Sequence, residues 1–104
     1  MSHSDRVDAL LRCLCHPYRR TVVRAVTTVG PMTRRELAEE VASAAPMGDD
    51  ADSIELSLHH RHIPKLTDAD IVEYDPSREL VRPREVTRQV NAVNEIASSV
   101  ADAL

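Results

Sequence analysis

Aromatic residues are almost missing from this chain, which has two Tyr, no Phe and no Trp among its 104 residues. Any core must therefore be built from Val, Leu, Ile and Ala. Base stacking of single-stranded nucleic acid has no platform here. Glycine is nearly as scarce, with Gly30 and Gly48 alone, so no glycine-rich loop is available to cradle a nucleotide phosphate. Neither a His-Glu-x-x-His pair nor a nucleophile elbow occurs, and no enzyme activity or cofactor is expected. The two cysteines, Cys13 and Cys15, are too close in sequence to staple a domain, which points to a reducing, cytoplasmic setting. No apolar run approaches the ~20 residues of a membrane span. No apolar stretch follows the first six residues, as a secretory signal would require.

What the chain does have is charge, unevenly spread. Acidic residues outnumber basic ones, 17 to 13, for a net charge of -4. Residues 1–35 hold seven Arg against two Asp, whereas residues 36–55 hold seven acids and no base. Twelve of the 13 basic residues are Arg, and Lys65 is the one Lys. An Arg-rich, Lys-poor, acidic composition fits adaptation to concentrated salt, and it also fits an ordinary acidic protein. Net acidity runs against nucleic-acid binding, but the basic start of the chain runs for it.

Apolar residues make up 42% of the sequence, enough for one core and one domain. Ser4 or Asp5 caps a first helix whose apolar face is Val7, Leu10, Leu11 and Leu14. His16-Pro17 ends it, and Pro17 suits the first turn of a second helix. That helix sets Tyr18, Val22, Val26 and Val29 on one side and stops at Gly30-Pro31. Thr33 with Glu36 forms a capping box and opens a third helix, from Arg34 to about Ser43, with Leu37, Ala38 and Val41 inward. Residues 45–52 read as a polar loop. Asp52 or Ser53 then caps a fourth helix, in which Ile54, Leu58, His62, Ile63 and Leu66 share a face. Pro64 should kink this helix or mark its last turns. Residues 71–75 and 79–82 read as two strands joined by a turn at Pro76-Ser77-Arg78, with Pro83 at the exposed end. A last helix begins at Glu85.

A two-stranded hairpin is unstable alone and must lean on helices. The order is thus mainly α with a small β-hairpin, a winged helix-turn-helix. Residues 5–84 form its core and residues 85–104 its C-terminal helix.

The run Leu58-His59-His60-Arg61-His62-Ile63-Pro64-Lys65-Leu66, continued by Ala69-Asp70-Ile71-Val72, resembles the recognition helix and wing entry of arsenic-repressor-like winged helices. His62-Ile63 stands for that family's His-Leu pair. Together with Tyr74-Asp75-Pro76, the run is more closely similar to small haloarchaeal winged-helix domains. The resemblance covers about residues 6–84. Asp70 stands where the wider family has Gly; if the site needs a left-handed backbone, Asp tolerates it better than most residues. His60 stands where the wider family often has Ser.

The resemblance implies a dimeric transcription regulator that binds double-stranded DNA. In that architecture the second helix of the motif enters the major groove. The face of the fourth helix opposite its apolar stripe carries Ser57, His60, Arg61, Pro64 and Lys65. Arg61 is able to make a bidentate contact with guanine, Ser57 and His60 to touch base or phosphate, and Lys65 to touch phosphate. Thr33, Arg34 and Arg35 at the start of the third helix face the DNA backbone. Arg78 at the hairpin tip, with Arg82 and Arg84 after it, reaches toward the minor groove. A solvated charged face is the plain alternative for each.

Arg19, Arg20 and Arg24 form a basic run read as pairing with the acidic middle of the chain. In the last helix, Val86, Val90, Val93, Ala97, Val100 and Leu104 form an apolar seam with polar flanks at Thr87, Arg88, Asn91, Asn94, Glu95 and Ser98. The seam suits dimerisation, or cover for the first helix. His59 and His62 stand three apart, as a metal pair on one helix would, but His62 falls on the core face and reads better as a hydrogen-bonded packing residue. Cys13 and Cys15 point ~200° apart on a helix, so no metal site is expected there. Two further readings stay open: a winged helix kept as a protein-interaction module without DNA, and a metal-responsive repressor.

Overall fold

The computed structural model describes residues 3–44 and 48–103. Helix α1 (His3–Cys13) is followed by α2 (Pro17–Val29), a short strand β1 (Met32–Thr33) and α3 (Arg34–Ala44). Helix α4 (Ala51–Ser57) runs through a π-helical segment (Leu58–His62) into α5 (Ile63–Asp68). Strands β2 (Val72–Asp75) and β3 (Leu80–Pro83) and helix α6 (Thr87–Ala103) complete the chain. The fold is mainly helical, with one small antiparallel sheet of order β1-β3-β2.

Local chemistry sets most of the boundaries. His16 caps α2, its Nδ1 accepting from the Tyr18 N–H at 3.1 Å, and Pro17 fills the first turn where its missing N–H is harmless. Gly30 ends α2 with φ +101, a conformation that side chains resist. The capping box closes as expected: Thr33 N–H donates to Glu36 Oε1 at 2.9 Å, and Glu36 N–H to Thr33 Oγ1 at 3.1 Å. Asp50, rather than Asp52 or Ser53, caps α4, accepting from Ser53 N–H at 2.8 Å. The expected loop is therefore shorter at its end; its residues 45–47 lie outside the described residues.

The hairpin does not stand alone. Met32 and Thr33 pair with Val81 and Leu80, making β3 the central strand. Pro83 lies at the end of β3 opposite Val72, beyond the reach of β1, an end position that suits proline. Asp70 and Glu79 both adopt positive φ, 58 and 52. Asp70 thus holds the left-handed turn into β2, and the Asp tolerance invoked for that position applies.

Pro64 neither ends nor breaks its helix. Ahead of it the backbone widens, and Ile63 N–H donates to Leu58 O, five residues back. A proline ring in a regular α-helix collides with the carbonyl four residues earlier. The wider π turn is one of the devices by which helices absorb such a misfit.

The core is aliphatic. Val22, Val23, Leu37, Ala38, Ile54, Leu58, Leu66 and Val81 are fully buried. Helix α1 joins it through Leu10, Cys13 and Leu14, while its Val7 and Leu11 stay exposed. Among the described residues no helix is long and apolar enough to cross a membrane.

Candidate nucleic-acid interface

The helix from α4 to α5 buries one side and presents the other. Ile54, Leu58, His62, Ile63 and Leu66 are buried, as their spacing predicts. His60, Arg61, Pro64 and Lys65 are exposed, and Ser57 is half-buried beside them. Arg61 and Lys65 have no carboxylate partner among the described residues. The ring of His60 packs edge-on against that of His59, 4.7 Å between centroids. This face offers a guanidinium, an ammonium, an imidazole and a hydroxyl, all of which can donate to base edges or phosphates.

Arg34 is held from four sides instead of facing outward. It donates to Glu55 at 3.2 Å and Tyr74 Oη at 3.0 Å, meets His59 Nδ1 at 2.9 Å, and pairs with Glu79 at 3.3 Å. Its own N–H donates to Glu79 O at 2.8 Å. Those partners come from α4, the π segment, β2 and the hairpin turn. The guanidinium therefore locks the hairpin to the helix pair, and its side chain is mostly buried. A planar fork with five donors is suited to such a junction. Arg35, more exposed, pairs with Glu39, Asp52 and Glu55. The acids of the middle segment thus neutralise the start of α3.

On the hairpin, Arg78 is exposed with no ion pair among the described residues. Arg82 lies 3.5 Å from Asp75, and Arg84 pairs with Asp70 at 3.1 Å. Asp75 also accepts from both the N–H and the hydroxyl of Ser77, which fixes the turn and holds its carboxyl below the usual range. Arg61, Lys65 and Arg78 are thus the residues of the expected set whose charge is left open.

The basic run of α2 behaves differently from expectation. Arg19 is buried, and it caps the end of α1: Nε donates to Cys13 O at 2.6 Å and Nη2 to Arg12 O at 3.4 Å. Arg20 donates to Leu14 O and Cys15 O. The partners are the carbonyls at the end of a helix, where partial negative charge collects, not the acidic middle segment. Sequence alone gives no sign of this, because carbonyl acceptors carry no side-chain signature.

Arg19 also holds His62, its Nη1 standing 3.1 Å from His62 Nδ1. A guanidinium only donates, so Nδ1 accepts and the ring proton sits on Nε2. That Nε2 is buried without a partner. The His16 ring lies 4.3 Å away, between centroids. Burial first, and then the charges of His16, Arg19, Arg61 and Lys65, push His62 down to about 4. His16 is lowered as well, by burial and by Arg19, Arg61 and Arg20. His62 is thus a neutral packing residue. Cys13 is buried and Cys15 exposed, and both thiols are free. Among the described residues, no three His, Cys, Asp or Glu come together as a metal site would need.

Helix α6 packs inward through a face that combines one seam residue with residues expected as polar flanks. Its inward face against α2 carries Thr87, Val90, Asn91 and Asn94. Asn94 Nδ2 donates to Arg20 O at 3.0 Å, and Thr87 Oγ1 donates to Ile71 O at 2.6 Å. Val90, assigned to the seam, is 2% exposed and belongs to the chain's own core. Three residues expected as polar flanks are buried instead. The remaining seam, Val86, Val93, Ala97 and Val100, stays exposed, joined by Ile96 at 66%. Leu104 lies outside the described residues. The polar set recurs at helical spacing just as the apolar set does, and that was the signal available.

No curated protein and no solved structure matches the chain. Residues 11–82 match a family described as Domain of unknown function (DUF7344), a span from the last turn of α1 into β3 that leaves out α6. The match covers well over half of the 104 residues, and the chain belongs to this DUF7344 family.

Proposed function

We propose that the chain is a winged helix-turn-helix that binds double-stranded DNA as a homodimer and regulates transcription in the cytoplasm. In this reading α3 and the helix from α4 to α5 are the two helices of the motif, and the β2–β3 hairpin is the wing. The observation that carries it is the exposed face of His60, Arg61 and Lys65, whose cations lack carboxylate partners among the described residues while four other Arg are paired. Unpaired cations on one helix face suit phosphates and base edges. Arg61 reads guanine, Ser57 and His60 contact base or phosphate, and Lys65 and Arg78 hold the backbone. The likeness of residues 58–72 to the recognition helix and wing entry of arsenic-repressor-like proteins supports the same assignment. Arg34 positions the wing and Arg35 shapes the start of α3; Thr33 supplies the cap between them and the sheet.

The dimer rests on α6. Val93, Ile96, Ala97 and Val100 recur at three- and four-residue spacing and stay exposed. A stripe of this kind on so small a domain is suited to its own copy across a two-fold axis.

The test is selection from a genomic fragment library by the purified protein in concentrated KCl, with Arg61→Ala alongside. Enrichment of a short inverted repeat is expected. Loss of a bidentate base contact should weaken binding to it by about 1–3 kcal/mol. A folded, dimeric protein that enriches no sequence would favour the protein-interaction module.

A further inference from the structure

We infer that the cleft between α1 and α5 is a binding site for a small organic anion of the phosphate-ester class. The cleft holds about 470 Å³, within the range of small-molecule sites. Arg12 from the last turn of α1 and Lys65 from α5 both line it. Both are exposed, and neither has a carboxylate partner among the described residues. Arg19 lies in the wall, buried and held by carbonyls and by His62, with no acid paired to it among the described residues. One carboxylate, Asp68, also lines the cleft. Three cations against one anion leave a surplus of positive charge in a concavity, where low-dielectric walls concentrate its field.

The two walls meet at the base, where the Cys13 thiol donates to Lys65 O at 3.3 Å. That contact, the Arg19 and Arg20 bonds to the carbonyls at its end, and a few apolar side chains seat α1, whose Val7 and Leu11 remain outside the core. An anion with two or more oxygens that bridges Arg12 and Lys65 therefore adds a cross-link between α1 and the helix bearing His60 and Arg61. A phosphate monoester fits best: it carries up to two charges and three acceptor oxygens, and Ala69 in the lining gives room for a small carbon body. A DNA phosphate is the competing occupant. The concave shape favours a free molecule over a duplex backbone, and occupancy by a free anion does not depend on the DNA-binding reading.

The experiment is a titration of isotope-labelled full chain with glycerol phosphate, followed by amide NMR at constant chloride. Saturable shifts confined to residues 9–15 and 65–69 are expected. Arg12→Gln with Lys65→Gln should weaken binding at least about tenfold, the loss of two charge-assisted contacts. Asp68→Asn should tighten it, an outcome that misfolding cannot imitate. Arg88→Gln, in the first turn of α6 and outside the cleft lining, should leave it unchanged. Shifts that are absent, spread over the surface, or equal in all four proteins overturn the proposal. So does a response of these amides to duplex DNA but not to glycerol phosphate, which would assign the cleft to the nucleic acid.

Discussion

Acidifying the protein from pH 7 to pH 5 is expected to cost the native state about 2 kcal/mol through His62 alone. The ring is fully buried, receives a hydrogen bond from Arg19 on Nδ1, and titrates at about 4 in place of 6.5. Protonation would put an N–H on Nδ1, donor against donor with the guanidinium at 3.1 Å. The unfolded chain takes up its proton near the ordinary pH, whereas the folded chain refuses it until near pH 4. Between those values the unfolded state binds more protons, so stability falls as pH falls, at up to about 1.4 kcal/mol per pH unit. Half a unit of the two-unit interval lies above the unfolded value and contributes little, which leaves about 2 kcal/mol. Against a total of roughly 5–15 kcal/mol for a small domain, that is a large share. The assay is urea unfolding followed by helical circular dichroism at pH 7, 6 and 5 in one salt concentration. His62→Gln keeps an acceptor for Arg19 and removes the titration. Carboxylates affect both proteins alike, so the difference in slope reports His62 together with its coupling to His16. Parallel loss of stability in the two proteins would refute the reasoning.

Arg34→Ala removes four contacts at once and should destabilise the fold by about 2–3 kcal/mol, read as a shift in the thermal midpoint. Arg34→Lys should recover little of it, because a point charge cannot hold partners in four directions. Ile96→Glu with Val100→Glu should convert a dimer to a folded monomer, seen by sedimentation with the circular dichroism spectrum retained. If mass and helicity are both unchanged, α6 is not the seam.

The helix from α4 to α5 was legible because its apolar positions fall at helical spacing with charged residues opposite, and burial follows that pattern. The capping box at Thr33 and Glu36 was legible for the same reason, since its two partners are three residues apart. What escaped depends on partners distant in sequence or invisible as side chains. Strand β1 is two residues long and exists through pairing with Val81 and Leu80. Arg34 meets Glu79 and Tyr74 only after the hairpin folds back. Arg19 turns inward toward carbonyls. Helix α6 carries an apolar stripe and a short polar stripe at the same period, and hydropathy gives no sign that the polar one packs inward; the hydrogen bonds of Thr87 and Asn94 place it there.

The π turn ahead of Pro64 has a consequence for counting along the chain. Two regular α turns take about seven residues, but eight separate Leu58 from Leu66, and both are fully buried. The turn acts as a spacer that inserts one position on the outer surface while leaving the inner anchors in place. His59, His60 and Arg61 share that enlarged turn. Shortening it by one residue would rotate Arg61 relative to Lys65 and shift the buried His62 with it. The spacing of charge along the outer face is therefore set by a widened turn of helix that also carries the buried Leu58 and His62.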